Sequence, residues 1–204
     1  MPRTARLVVP GLPHHVTQRG NRRQTTFFSA QDYAAYRALL ADRCLAHQVE
    51  VLAWCLMPNH VHLVLVPATG TSLGAALAQT HRRYTVRINR REGWTGFLWQ
   101  GRFSSAPMDE GHLAAAVRYV ELNPVRAGLV ASPADWPWSS ARAHLARAPD
   151  GLTAIDPMLD RFPDWEDFLG VDLSAPDLAA IRSAERTGRP LGARDFVARL
   201  EAGA

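Results

Sequence analysis

The chain contains no lysine: all 23 of its basic side chains are arginine. A general preference for arginine accounts for the choice of residue but not for its distribution. Residues 1–149 carry 17 Arg against 8 Asp or Glu, whereas residues 150–204 carry 6 Arg against 11 acidic residues. A basic body with an acidic tail points to an anionic partner, nucleic acid being the commonest. Cysteine is scarce as well. Cys44 and Cys55 are the only two, too few for a disulfide framework, and they read as reduced core thiols of a cytoplasmic protein. No apolar run approaches the ~18 residues of a membrane span. The N-terminal MPRTARLVVPG has no apolar stretch followed by a small-residue cleavage site, so nothing suggests export. Internal repeats and low-complexity tracts are also missing. What remains is 204 residues with 47% hydrophobic content, enough for one ordinary domain with an extension.

Read in order, HHVTQRG (14–20) is a first strand, favoured by Val16 and Thr17. Gly20 and Asn21 break it, and Arg19, Arg22 and Arg23 crowd the loop that follows. That loop is either simply solvated or touches phosphates. Ser29, with Asp32 three residues later, resembles a capping box. It opens a helix to about Ala46 with Tyr33, Tyr36, Leu39, Leu40 and Cys44 at helical spacing. VEVLAWCLM (49–57) is apolar on both faces, as in a strand that is central or covered on both sides. Pro58-Asn59 turns the chain into an antiparallel partner at 60–66. The next helix, 72–91, turns Leu73, Leu77, Thr80, Tyr84 and Ile88 inward and lines one flank with Arg83, Arg87 and Arg90. FLWQGRFSSAP (97–107) reads as a fourth strand. A further helix starts near Asp109, and Pro124 ends or kinks it. The order β-α-β-β-α-β followed by a helix predicts an α+β fold of ferredoxin-like type, an antiparallel sheet with helices on one face plus an added helix. Its first and third strands are central. Residues 1–148 are expected to form this domain and 149–204 an acidic, mostly helical extension, in which Gly188-Arg-Pro190 splits two short helices.

Within this frame the informative stretch is MPNHVHLVLV, residues 57–66. Side chains two apart on a strand share a face, so His60 and His62 project together with their Cα atoms ~6.5–7 Å apart. Such a pair can hold one metal ion, or can be two histidines at the wet end of a strand. Tyr119 and Asn123 stand four residues apart on the later helix and so share one side. If that helix covers the histidine face, the four residues meet. A tyrosine of pKa ~10 is about one part in a thousand ionised at neutral pH and needs help to attack. A divalent cation can polarise a phosphodiester. Two imidazoles and an amide oxygen leave coordination positions open, and no Cys or carboxylate is expected to complete a closed zinc site. The plain alternative is a tyrosine packing at the edge of a helix.

MPNHVHLVLV, FLWQGRF and RYVELNPVRAGLV, with HHVTQRGNRRQ upstream, resemble the REP-associated tyrosine transposases, members of the single-tyrosine HUH (His-hydrophobic-His) transposases. The resemblance covers roughly residues 6–145. It implies that His60, His62 and Asn123 hold Mg²⁺ or Mn²⁺ and that Tyr119 is the nucleophile. It further implies an endonuclease and strand transferase acting on single-stranded DNA that folds into hairpins of repeated palindromes. Cleavage there leaves a 5′-phosphotyrosyl link and a free 3′-hydroxyl, and the link conserves bond energy for rejoining. Arg102 and Arg126, which lie in or beside the matching motifs, are phosphate-clamp candidates next to Arg19, Arg22, Arg23, Arg83, Arg87 and Arg90. The protein is expected as a cytoplasmic, nucleoid-associated monomer or homodimer with no membrane association. One of His14 and His15 is a candidate to line the metal face, and His112 lies ~10 Å up the helix from Tyr119, too far to share the ion. Two other classes stay open: a non-catalytic single-stranded DNA binder or repressor, and a zinc hydrolase needing a third His or carboxylate and no role for Tyr119.

Overall fold

The computed structural model describes residues 6–202, so the first five residues of the N-terminal reading lie outside it. Four strands, β1 (His14–Arg19), β2 (Val49–Met57), β3 (His60–Pro67) and β4 (Ser104–Pro107), form one antiparallel sheet in the order β2-β3-β1-β4. With α1 (Ala30–Ala46) after β1 and α2 (Ser72–Glu92) after β3, this is the expected ferredoxin-like α+β arrangement, and β1 and β3 are its centre.

Alternation along the strands assigns each residue to one of two layers. Val61, Leu63 and Leu65 of β3 join Val16 of β1 in a core with Tyr36, Leu40, Leu77 and Tyr84 of α1 and α2. The opposite face, with Val64, is covered by α3 (Glu110–Glu121) through Leu113, Ala116, Val117 and Val120. Leu122 interrupts that helix with φ −84° and ψ 1°, and the one-turn α4 (Asn123–Arg126) follows. Pro124 has no N–H to donate, which is why the ladder breaks there.

Beyond it lie α5 (Ala141–Leu145), α6 (Asp156–Leu159), α7 (Trp165–Gly170), α8 (Ala175–Thr187) and α9 (Arg194–Ala202). The extension shares the α3 core: Met158, Trp165, Phe168, Ile181 and Ala184 pack with Leu113 and Val117. Glu121, fully buried, accepts from His144 Nδ1 at 2.7 Å, from Trp165 Nε1 at 2.9 Å and from Ser140 Oγ. A buried carboxylate is tolerated where such donors replace water. Here they clamp the segment after α4 onto α3.

Two expectations need correction. The fourth strand is only Ser104–Pro107, not 97–107. Gly96 and Gly101 take φ of +92° and +64°, which turns 97–103 into a loop that meets β1 and its end through Gly20–Trp99, Gln100 N to Arg19 O and Gln18 Nε2 to Gly101 O. Ser29 makes no side-chain cap; instead the Asp32 carboxylate accepts from Phe28 N at 3.0 Å and pairs with Arg91. Strand β2 lies at the edge of the sheet, covered on both sides, which is one of the two readings its pattern allowed. It is apolar on both sides because both layers cover it, and Trp138–Ser140 hydrogen-bond along its outer edge. Both cysteines are free and buried, and burial pushes the Cys44 thiol up to about 12. No helix among the described residues is long and apolar enough to cross a membrane.

Candidate active site

His62 points into the α3 layer, opposite Thr17 of β1. His15 lies two residues along from Thr17 and so on the same face, diagonal to His62. The two rings stack at 12° with centroids 5.5 Å apart, and His15 Nε2 is 3.3 Å from His62 Nδ1. Tyr119 of α3 meets both edge-on, with centroids 5.9 Å from His15 and 5.5 Å from His62. His60 is also on this face, 4.8 Å from His62 by ring centroid. Its Nδ1 lies 2.6 Å from Asn59 Oδ1. That contact fixes the ring and leaves Nε2 as the nitrogen for a ligand, the usual support for a metal-binding histidine. Asn123 is buried at the head of α4, one turn beyond Tyr119. His14 points the other way: Nδ1 bonds Leu12 O at 2.8 Å and Nε2 accepts from Val9 N at 3.2 Å. His112 is occupied at the start of α3 with Asp109.

Burial dominates the electrostatics. It lowers His14, His15 and His60 to about 4 each, with Arg19 adding to the effect at His60. His62 falls further in the same direction through burial and then its neighbours His60, His15, Arg126 and Arg19. All are therefore neutral near pH 7, the form that binds a metal. Burial raises Tyr119, Glu185 pushes in the same direction, and Arg126 and Arg182 oppose it. Arg126 stacks on the tyrosine, its guanidinium carbon 4.0 Å from the ring centroid, and donates from Nη1 to Tyr119 O at 2.9 Å. The residue expected to clamp phosphate thus also holds the nucleophile candidate in place.

Sequence reasoning missed what the extension brings. Helix α8 lies on β1, β4 and α3, and Glu185 Oε1 reaches within 3.4 Å of His62 Nδ1 and 3.9 Å of His15 Nε2. The expectation that no carboxylate stands near the histidines is therefore wrong. The donors fit a cation: two neutral imidazoles and a carboxylate oxygen lie within 4.8 Å of one another. Glu185 comes from 123 residues beyond His62 and nothing in its local pattern marks it. The choice of His15 over His14 did carry a signal, because Val16 takes His14 with it to the helix-layer face.

Tyr119 opens onto a groove of about 1480 Å³. Arg19, Arg23 and Arg102 line it from the body and Arg182, Arg186 and Arg189 from the extension. The acidic tail thus covers the body through apolar packing while presenting guanidinium groups to the groove. Arg22 sits beside Arg23 in an exposed turn, where both adopt left-handed φ of 54° and 60°. Arg83, Arg87 and Arg90 are exposed on α2, in the layer on the other side of the sheet. The structure does not bring them to Tyr119.

This layout, a histidine strand facing a tyrosine helix, coincides with a known family. The model of the family described as "Transposase IS200 like" matches residues 8–123, and the chain belongs to that family. Among curated relatives, a Haemophilus influenzae protein described as a REP-associated tyrosine transposase is 28% identical over 116 residues, covering 52% of this chain and 66% of that one. The REP-associated tyrosine transposase of Escherichia coli K12 is 26% identical over 108 residues, covering 52% of this chain and 61% of that one. The chain thus spans just under two thirds of the length of these relatives. A solved REP-associated tyrosine transposase, bound to a REP hairpin, shares the fold with a TM-score of 0.62 and 23% identity over 76% of this chain and 90% of that one.

Proposed function

We propose that the protein is a metal-dependent single-stranded DNA endonuclease and strand transferase that cleaves hairpin-forming repeat DNA through a 5′-phosphotyrosyl intermediate on Tyr119. The observation that carries this reading is the position of Tyr119, whose ring lies 5.5 Å from that of His62 and which lines the arginine-rich groove. His60, His62 and Asn123 would hold a divalent cation, Mg²⁺ or Mn²⁺, which would supply polarisation of the phosphodiester and stabilisation of charge on its oxygens. The chain's own groups do the rest. Arg19, Arg23 and Arg102 take the DNA backbone. Arg126 and Arg182 favour the tyrosinate, because both lower the Tyr119 pKa against the effect of burial. The Tyr119 oxygen bonds to phosphorus, the 3′-oxygen leaves, and the phosphotyrosyl bond keeps the energy needed for a second transfer. Residues 1–148 form the nuclease body and 149–204 an extension docked on it, and the protein works in the cytoplasm as a monomer or homodimer. The repeat palindrome as substrate is supported by the names of the relatives.

The test is incubation of the full chain with hairpin-bearing single strands and Mn²⁺, followed by denaturing electrophoresis. Wild type should form a covalent protein–DNA adduct and Tyr119→Phe none. An adduct that persists in Tyr119→Phe, or no adduct with wild type, sinks the nuclease reading and favours a non-catalytic binder.

A further inference from the structure

The three most exposed aromatic side chains among the described residues stand at one place: Phe28 at 43%, Trp94 at 43% and Phe97 at 87%. The rings of Phe28 and Trp94 meet edge-on with centroids 5.8 Å apart, and the Arg91 guanidinium carbon lies 5.5 Å from the Phe28 centroid. Trp94 and Phe97 share the loop after α2, which Asn89 closes by donating from Nδ2 to Gly96 O at 2.9 Å. The loop is anchored, because its next two residues, Leu98 and Trp99, are buried in the core. One exposed apolar side chain calls for no explanation, whereas a cluster of aromatics makes a surface. Its surroundings are cationic. Asn21 donates from N to Leu98 O at 2.8 Å and from Nδ2 to Phe97 O at 3.5 Å, which seats the Arg22–Arg23 turn against the loop. The left-handed φ of both arginines is uncommon outside glycine. Arg23 N bonds Gly20 O at 3.0 Å and Asn59 Nδ2 bonds Arg23 O at 2.9 Å, and these contacts hold the turn in shape. The acids beside the aromatics, Asp32 and Glu92, both pair with Arg91. Arg23 and the far end of the same loop, Gln100 and Arg102, line the groove of Tyr119. Gln100 follows Phe97 by three residues, at most ~10 Å of chain. The loop therefore joins the groove to the aromatic surface.

Exposed rings set among arginines bind single strands, the rings by stacking on bases and the guanidinium groups by holding phosphates. We propose that Phe97, flanked by Trp94 and Phe28, is a stacking surface for unpaired DNA bases, which a strand leaving the groove reaches past Arg23 and Arg22. It rests on the reading that the groove takes single-stranded DNA, and it extends that site to bases away from the reacting phosphodiester. Every base has a π-face, so stacking is tolerant of sequence. The surface thus adds affinity and holds the strand without choosing its bases. A duplex keeps its bases stacked on one another and offers Phe97 none.

The experiment is binding of the full chain measured by fluorescence anisotropy in EDTA, so that neither cleavage nor a metal ion contributes. The probes are a DNA hairpin with unpaired thymine tracts on both sides and the same hairpin with blunt ends. Phe97→Ala should bind the tailed hairpin at least roughly fivefold more weakly and the blunt one as wild type does. A ring releases no counterion, so the slope of log affinity against log salt should stay at the wild-type value in Phe97→Ala and fall in Arg23→Ala. Phe97→Tyr should keep the affinity and Phe97→Leu lose it, which separates stacking from plain apolar contact. The Phe97 ring is outside both cores, so folding is expected to survive, with circular dichroism as the control. Equal binding of the tailed hairpin by wild type and Phe97→Ala, or equal weakening of both hairpins, overturns the stacking surface. Either result leaves the nuclease reading standing, since the adduct on Tyr119 tests that separately. If Phe97→Ala instead turns a wild-type dimer into a monomer in sedimentation at unchanged DNA affinity, the aromatics join two copies and the proposal fails. No binding of either hairpin by wild type overturns the stacking surface and the single-strand reading together.

Discussion

The two faces of the sheet are built from the same strands yet treat polar groups differently. Towards α1 and α2, several buried polar side chains are matched, although Trp99 Nε1 and Gln18 Oε1 have no hydrogen-bond partner among the described residues. The Tyr36 hydroxyl lies 3.0 Å from His81 Nε2, the Tyr84 hydroxyl donates to Thr26 O at 2.7 Å, and both His14 nitrogens are used. Towards α3 and α8, the buried His15 and His62 and the partly buried Glu185 gather around a common point, with Glu185 Oε1 sealed from solvent and without a hydrogen-bond partner among the described residues. His14 and His15 are neighbours in the chain and fall on opposite sides of this divide. One face is finished as an apolar core; the other opens Tyr119 onto the groove.

Three measurements can break or sharpen that contrast. The largest effect belongs to the finished face. Leu63→Ala there should cost about 2–5 kcal/mol in denaturant unfolding, the usual range for emptying a fully buried leucine position. A cost near zero would mean that the α1 and α2 layer is not the stabilising one. Acid comes next and spans both faces. An unfolded histidine takes up its proton near pH 6.5, whereas His14, His15 and His60 do so only at about 4 in the fold. Between these values the unfolded chain binds more protons, so stability is complete above about pH 6.5 and drains away as pH falls towards 4. Thermal unfolding at pH 7.5, 5.5 and 4.5 should trace the loss, and a flat profile would show that the histidines are not sealed. The smallest effect concerns the two arginine sets. Arg23→Ala in the groove should reduce the slope of log affinity against log salt by about 0.7 for single-stranded DNA, while Arg87→Ala on α2 should not. Equal changes would mean that DNA runs over both layers.

Much of this was readable from residues alone. β2 is bounded as its apolar pattern predicts, and the inward stripe of α2, Leu73, Leu77, Thr80, Tyr84 and Ile88, is buried throughout. Periodicity succeeds there because each element's exposure pattern is local. The order of the strands also followed, since short connections leave few ways to thread β-α-β-β-α-β. The placement of Tyr119 against His62 needed only the further step that α3 must cover the open face. What escaped was tertiary. Nothing in the sequence around Glu185 or Arg182 says that α8 will lie over β1 and β4 rather than in solvent. The net charge of the extension even misled, because its sum hides three arginines turned towards the groove. The flank of Arg83, Arg87 and Arg90 lies away from Tyr119 for a related reason: a helical stripe gives a direction relative to its own helix, not to a site in another layer.

The strip Trp138–Ser140 along β2 bears on how the protein survives its own synthesis. An outermost strand with bare amides and carbonyls is a template on which other chains can crystallise into cross-β aggregates, and VEVLAWCLM is apolar enough to invite it. Here Leu56 N is taken by Trp138 O, Trp54 O by Ser140 N, and Trp54 N by Ser140 Oγ. Those partners arrive some 80 residues later in the chain, so until residues 136–140 have emerged and folded back the margin is unguarded. A truncation ending just after α4 would keep His60, His62, Tyr119 and Asn123, and would leave that sticky border permanently open.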